Sequence, residues 1–194
     1  MRIGVIAIQG DVEEHIASFR KALGERRERG QVIRIDRKGV IPSCDAVVIP
    51  GGESTTIGRL LEREGIADEI RGSRDVPIFA TCAGLVLLAK HGDEQVMRTG
   101  QPLLGLMDIT VNRNAFGRQR ESFEAELSLS FLDRPYNAVF IRAPAITEAG
   151  SRVEVLGTYD NLIVAARQGK MLALAFHPEL TDDTRIHHYF LDII

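Results

Sequence analysis

Apolar positions along the chain come in short, sharply bounded runs. The first four, residues 3–8, 32–35, 46–49 and 78–80, are rich in Ile and Val. Runs of this length and β-branched content predict strands buried on both faces. Between them the period lengthens. Ile16, Phe19, Ala22 and Leu23 fall on one face of a helix that Asp11 would cap, running to Leu23 with Gly24 near its stop. Ser54 or Thr55 would cap a second helix with Ile57, Leu60 and Leu61 turned inward. Residues 66–71 predict a short third helix and residues 85–90 a fourth. Strands alternating with helices in this way predict a parallel sheet with helices on both faces.

The pattern changes after about residue 105. Strands are predicted at 107–111, 123–129, 138–141, 153–158, 162–167 and 171–176, with turn residues at Gly157, Asp160-Asn161 and Gln168-Gly169-Lys170. The last two runs read as a hairpin across Gln168-Gly169-Lys170. A closing helix is predicted over 182–194. No linker, repeat or low-complexity stretch interrupts the chain, so residues 1–194 are expected to form one domain.

Composition narrows the function classes. The chain has 194 residues, 44% hydrophobic and 26% charged, and a formal net charge of −3. That balance gives no electrostatic footprint for nucleic acid. The basic cluster Arg26-Arg27-Glu28-Arg29 is broken by an acid and reads as a solvated loop. No apolar stretch reaches the ~20 residues of a membrane span, and the opening run reads as a strand rather than a signal peptide. Two cysteines make no disulfide framework. A cytoplasmic location follows as the expectation.

One of those cysteines sits at a corner. In Pro77-Ile78-Phe79-Ala80-Thr81-Cys82-Ala83-Gly84-Leu85, Cys82 lies between a strand and a helix and is crowded by small residues. A strand that turns abruptly into a helix can lift a nucleophile over the sheet edge, the elbow logic of serine hydrolases. The helix that follows points its N–H groups and positive end at the same spot, and both favour an anionic sulfur. The alternative is a buried structural cysteine. Cys44, between Pro42-Ser43 and a strand, has no comparable setting and reads as structural.

A nucleophile needs a base. Of five histidines, His15, His91, His187 and His188 fall within or at the ends of predicted helices. His177 instead ends a late apolar strand and opens His177-Pro178-Glu179. In a sheet it would stand at the same edge as Cys82. Glu179, two residues on, could bond the far ring nitrogen and hold the tautomer. Cys82, His177 and Glu179 then make a Cys-His-Glu triad. The third element is Pro50-Gly51-Gly52-Glu53-Ser54, directly after a strand. Its glycines permit N–H groups to turn into a site, and with the Ala83 N–H they would form an oxyanion hole. Read alone, it is more simply an ordinary turn and helix cap. It is not a phosphate loop, because no Gly-Lys-Ser/Thr follows. No metal site is expected: Cys44 and Cys82 lack ligand spacing, and His187-His188 is too little.

Taken together, the cysteine elbow, the Gly-Gly loop and the late His-x-Glu resemble the class I triad glutamine amidotransferases. More closely, the chain resembles the glutaminase subunits of pyridoxal 5′-phosphate synthase. The likeness runs from Ile3 to the end, through Ile8-Gln9-Gly10-Asp11-Val12-Glu13-Glu14-His15, Pro50-Gly51-Gly52-Glu53-Ser54-Thr55-Thr56 and Thr81-Cys82-Ala83-Gly84-Leu85. It continues through Arg113-Asn114-Ala115-Phe116-Gly117-Arg118-Gln119, Ser122-Phe123-Glu124, Phe140-Ile141-Arg142-Ala143-Pro144 and Phe176-His177-Pro178-Glu179-Leu180-Thr181. The two arginine segments single out the subfamily.

This resemblance implies a flavodoxin-like, three-layer α/β fold, mainly parallel with an antiparallel addition in the C-terminal half, and hydrolysis of glutamine to glutamate and ammonia. Cys82 would be the nucleophile, His177 the acid and base, and Glu179 its orienter. Gly52 and Ala83 would form the oxyanion hole, and Gly52, Glu53, Ser54, Arg113, Ile141 and Arg142 would hold glutamine. An arginine fork suits the α-carboxylate. Gln9 and Gly10 would face a partner, a (β/α)₈-barrel synthase subunit that forms a dodecameric core decorated by glutaminase subunits. No cofactor is implied. Three departures stand out: Ala80 where the family elbow has glycine, Asn112 where an acid is more usual, and a highly charged Glu25-Arg26-Arg27-Glu28-Arg29. Two other readings keep the fold: a glutaminase serving a different synthase, against which the Arg113 segment speaks, and a non-enzymatic cysteine sensor or scaffold.

Overall fold

The computed structural model describes residues 1–117 and 121–194. The four opening runs become β1 (Arg2–Ile6), β2 (Gln31–Ile35), β3 (Ala46–Ile49) and β4 (Ile78–Thr81). Every residue of β3 and β4 is buried, as an unbroken apolar run requires. Each Val or Ile so buried contributes ~1.5–3 kcal/mol relative to leaving it exposed. The helices between them are α1 (Val12–Glu25), α2 (Ser54–Arg63), α3 (Ile66–Gly72) and α4 (Ala83–Leu88). Helix α1 runs through Gly24, which the pattern had placed at its stop. Helix α4 ends at Leu88, and Ala89 and Lys90 belong instead to strand β5 (Ala89–Gly92). A short helix, α5 (Glu94–Thr99), follows with Asp93 capping it through Val96 N–H.

The second half supplies β6 (Met107–Asn112), β7 (Ser122–Leu127), β8 (Tyr136–Ile141), β9 (Ala145–Ala149), β10 (Glu154–Tyr159), β11 (Leu162–Gln168) and β12 (Met171–Leu174). Helix α6 (Arg185–Leu191) closes the chain and is shorter than the apolar pattern of 182–194 suggests. Among the described residues, ten strands form one sheet in the order β2-β1-β3-β4-β12-β11-β9-β6-β5, with β10 on β11. Strands β2 to β12 in that order run parallel, and β11, β9 and β10 add antiparallel pairs. The β11–β12 hairpin forms as read. Among the described residues, β7 and β8 pair with each other as a separate two-stranded ribbon. Helix α1 packs with α6, and α2 packs with α3 and α4, completing the three layers.

The charged segment after α1 has a structural purpose. Arg26 reaches Asp192 and the His188 carbonyl, while Glu25 accepts from Thr184 and faces the His188 ring. Those contacts tie the end of α1 to α6. Among the described residues, no helix is long and apolar enough to cross a membrane.

Candidate active site

The chemistry gathers where the parallel strands end. The chain leaves β1 toward Gln9–Asp11, β3 toward the Gly51-Gly52 turn, β4 into Cys82 and β12 into His177. The register places Leu174 beside Thr81, so His177 and Cys82 emerge from neighbouring strands in the same direction. The crevice at this edge of an open α/β sheet is where such folds bind ligands.

Cys82 has φ 47° and ψ −101°, a conformation an L-residue adopts at a cost of order 1–3 kcal/mol. Neighbouring bonds hold it there: its N–H donates to Leu174 O at 2.8 Å, and its carbonyl accepts from Val86 N–H at 3.3 Å. The small neighbours have a steric reason. A Cβ on Gly84 would lie 2.2 Å from Ile49 O and 3.2 Å from the Ala80 Cβ. Ala80 itself has no positive φ, so alanine fits the elbow without strain.

The His177 Nδ1 lies 2.6 Å from Glu179 Oε1 and 3.4 Å from Asp11 Oδ2. Its backbone N–H donates to Val139 O at 2.8 Å, so β8 braces the site. Burial opposes the charged ring, but the surrounding Asp11, Cys82 sulfur and Glu179 outweigh it and carry the pKa to about 12. The same ring holds the Asp11 carboxyl below its ordinary value. Nε2 is buried and forms no well-aligned hydrogen bond, and the Cys82 sulfur rests 3.9 Å from Ile141 O. The thiol therefore acts on the ring's charge without being seated on Nε2. In catalytic sites without substrate, such hydrogen bonds are often long or misaligned.

The glycine loop leans on the loop after β1. A Cβ on Gly10 would lie 1.8 Å from Gly51 O, and one on Gly52 would lie 2.7 Å from Gln9 Oε1. Gln9 Oε1 accepts from Glu53 N–H at 3.0 Å. Helix α2 is capped by Glu53 and not by Ser54 or Thr55. Its carboxylate accepts from Thr55 N–H, Thr56 N–H and Thr56 Oγ1. Burial opposes that charge, but these bonds bring the pKa down to about 2. Arg113 donates to Glu53 Oε1 at 3.0 Å and to Thr55 Oγ1 at 3.1 Å. Arg142 has φ 41° and donates its N–H to Glu121 O.

A cavity of ≈ 290 Å³ joins these pieces. Gln9, Asp11, Gly52, Glu53, Ser54, Cys82, Ala83, Arg113, Ile141, Arg142 and His177 all line it. Gly10 and Glu179 support its walls from behind. A larger open depression of ≈ 600 Å³ beside Asp93 and Asn114 holds no nucleophile. Arg118 and Gln119 of the arginine segment lie outside the described residues. Asn112, the departure beside Arg113, accepts from Asn114 N–H.

Three residues were not legible as site components. Asp11 was expected to cap α1, yet its side chain makes no cap bond and turns to His177 instead. His15 is fully buried between Thr81 and Glu179. Its signal was available, since it shares the buried face of α1 with Val12, Ile16 and Phe19. Gln101 accepts from both Ser54 Oγ and Thr55 Oγ1. Asp11, His177 and Glu179 also bring one ligand-type atom each within 4.8 Å of one another. The short His177–Glu179 bond accounts for that cluster as a hydrogen-bonded array.

The fold and site define an α/β protein that carries a cysteine at a strained strand–helix corner, over the edge of a mixed sheet. The chain belongs to the SNO glutamine amidotransferase family, whose model matches residues 5–194. It is 64% identical over 194 residues to the pyridoxal 5′-phosphate synthase subunit PdxT of Methanococcoides burtonii, covering 99% of this chain and 98% of that one. It is 56% identical over 195 residues to the protein of the same name from Archaeoglobus fulgidus, covering 100% and 98%. A solved glutamine amidotransferase superimposes with a TM-score of 0.87 at 43% identity, over 98% of this chain and 97% of that one.

Proposed function

We propose that this chain is the glutaminase subunit of a pyridoxal 5′-phosphate synthase, and that Cys82, His177 and Glu179 carry its chemistry. Full-length similarity to the PdxT subunits supports the assignment. The single observation that carries the site is the convergence of a strained cysteine with a histidine–glutamate pair on adjacent parallel strands.

On this reading the reaction runs in two steps. The Cys82 sulfur, as thiolate, adds to the side-chain carbonyl of glutamine. Gly52 and Ala83 N–H groups take the developing oxyanion. The C–N bond then breaks, the leaving nitrogen takes the proton of the His177 imidazolium, and ammonia and a glutamyl thioester remain. His177, now neutral, removes a proton from water. The hydroxide adds to the thioester, the C–S bond breaks, and glutamate leaves as thiolate and imidazolium are restored. Glu179 keeps the ring oriented through Nδ1.

Glutamine would be held by Gly52, Glu53, Ser54, Arg113, Ile141 and Arg142, with an arginine fork on its carboxylate. Residues 1–194 act as one amidotransferase domain. The ammonia passes to a separate synthase subunit of (β/α)₈ form, in a dodecameric core that carries the glutaminase on its outside, with Gln9 and Gly10 toward it. Both cysteines are free, which fits a reducing, cytoplasmic setting. The test is glutamate release from glutamine with and without the synthase subunit. Release stimulated by that subunit and lost in Cys82→Ala supports the reading. Turnover that survives in Cys82→Ala removes the nucleophile, and oxidation of Cys82 without glutamine turnover beside the partner points to a sensor.

A further inference from the structure

Behind the triad lies a second, fully buried histidine. His15 extends from α1 toward the strand edge and shows no exposed surface. Its Nε2 is 3.0 Å from Thr81 Oγ1 and 3.5 Å from Glu179 Oε1. Thr81 immediately precedes Cys82, and Glu179 Oε1 is the atom that faces His177 Nδ1. A third contact from the same helix, Ser18 Oγ to Glu179 O at 3.4 Å, fixes the backbone of that residue.

The tautomer of His15 follows from what surrounds it. The Nδ1 is buried and has no hydrogen-bond partner among the described residues. A proton there would be an unsatisfied buried donor, costing ~1–3 kcal/mol. It would also turn the Nε2 lone pair toward a carboxylate. With the proton on Nε2, the N–H donates to the Thr81 hydroxyl at 3.0 Å and its positive end lies 3.5 Å from the Glu179 carboxylate. Burial keeps the imidazole neutral, against the pull of Glu179, Asp11 and Glu14 and with the push of His177. Across the Phe79 ring lies His187 of α6, also buried and held neutral by burial. His15 is thus held toward its neutral form, with Nε2 as the donor.

We propose that His15 is a positioning residue for the glutaminase reaction, anchored by Thr81, its Nε2–H drawing charge from Glu179 Oε1 and fixing that carboxylate between His15 and His177. The inference rests on the reading above. Its chemical purpose concerns the second step. Hydrolysis of the thioester needs a neutral His177, whereas Glu179, Asp11 and the Cys82 sulfur all favour the imidazolium. A donor on Glu179 weakens that preference. The ring can then lose its proton to the leaving nitrogen and accept another from water.

The test compares wild type, His15→Phe, His15→Gln and His15→Asn as complexes with the synthase subunit, with Cys82→Ala as blank. A Gln amide nitrogen reaches the place of Nε2, and an Asn amide reaches only that of Nδ1. The acid limb of kcat in His15→Phe and His15→Asn is expected to move up by roughly half to one pH unit, with KM little changed. His15→Gln is expected to restore the limb. Alkylation of Cys82 by iodoacetamide in the isolated chain is expected to move oppositely, persisting to lower pH in His15→Phe because a more firmly charged His177 sustains it. A kcat profile lowered uniformly without displacement, or equal losses in all three variants that track their melting temperatures, overturns the proposal. If His15→Phe fails to fold, the contrast between His15→Gln and His15→Asn decides. If wild type releases no more glutamate than Cys82→Ala, the glutaminase reading itself fails; an alkylation profile unmoved by substitution then removes the His15 inference as well.

Discussion

Replacing Gly51 with alanine adds one methyl group where the His177 ring already stands. Gly51 has no positive φ, so its backbone admits an L-residue and the effect is steric. The new Cβ would lie 2.5 Å from His177 Cε1, 3.1 Å from its Nδ1 and 2.8 Å from Asp11 Oδ2. Carbon atoms settle at about 3.5–4.0 Å, so the ring must retreat by about 1 Å. Asp11 is a half-exposed side chain and can swing aside. His177 is held by the 2.6 Å bond to Glu179 and by buried neighbours, and its displacement strains both. Overpacking of this kind costs ~1–3 kcal/mol, and a misplacement of that size lowers turnover by on the order of 10²-fold. The assay is kcat for glutamate release beside the synthase subunit, with a melting curve on the same sample. Gly24→Ala serves as control: its position is helical with nothing within 4 Å of the new Cβ, and a gain of ~0.4–1 kcal/mol with unchanged kcat is expected. Turnover within about threefold of wild type in Gly51→Ala, with an unaltered melting curve, would refute the steric coupling.

Other expectations follow from the same geometry. Arg113→Lys keeps the charge but loses the fork that reaches Glu53 and Thr55 together, so KM for glutamine should rise by roughly 10- to 100-fold with a smaller change in kcat; an unchanged KM would take Arg113 out of the substrate site. His187 lies in an aromatic nest with both ring nitrogens unpartnered, and burial depresses its pKa to about 3. Between about 6.5 and that value the unfolded chain binds a proton that the folded chain refuses, so stability contributed above 6.5 is lost on acidification by ~1.4 kcal/mol per pH unit. His187→Phe should therefore stabilise the protein more at pH 5 than at pH 8 in urea titrations, and an equal gain at both would show that the ring is not held neutral.

Much of the layout was legible because period and burial are coupled. The runs at 46–49 and 78–80 are apolar at every position, and only a strand covered on both faces buries all of them, hence β3 and β4. The elbow was legible for a similar reason: a cysteine among Ala80, Ala83 and Gly84 signals a place where backbones nearly touch. Errors fell where local propensity competes with tertiary contacts. Asp11 has the chemistry of a helix cap, yet His177 offers its carboxylate a charged partner and the cap bond is forgone. Ala89 and Lys90 extend the helix-like run of α4 in sequence, but pairing with β6 draws them into β5.

The chain alone determined which residues must be buried, which corner must be small and which side chains have the chemistry of a nucleophile, a base and an acid, since these depend on residue type and short-range spacing. Only the tertiary structure decided which of them meet. His15 and Glu179 are 164 positions apart, and Gln101 lies 47 from Ser54; no periodicity spans such distances. Insertion of β12 beside β4 brings His177 to Cys82, and the packing of α1 over that edge supplies Asp11 and His15. Long-range pairing chooses those neighbours, because each buried polar atom must find its partner wherever the folded backbone places one.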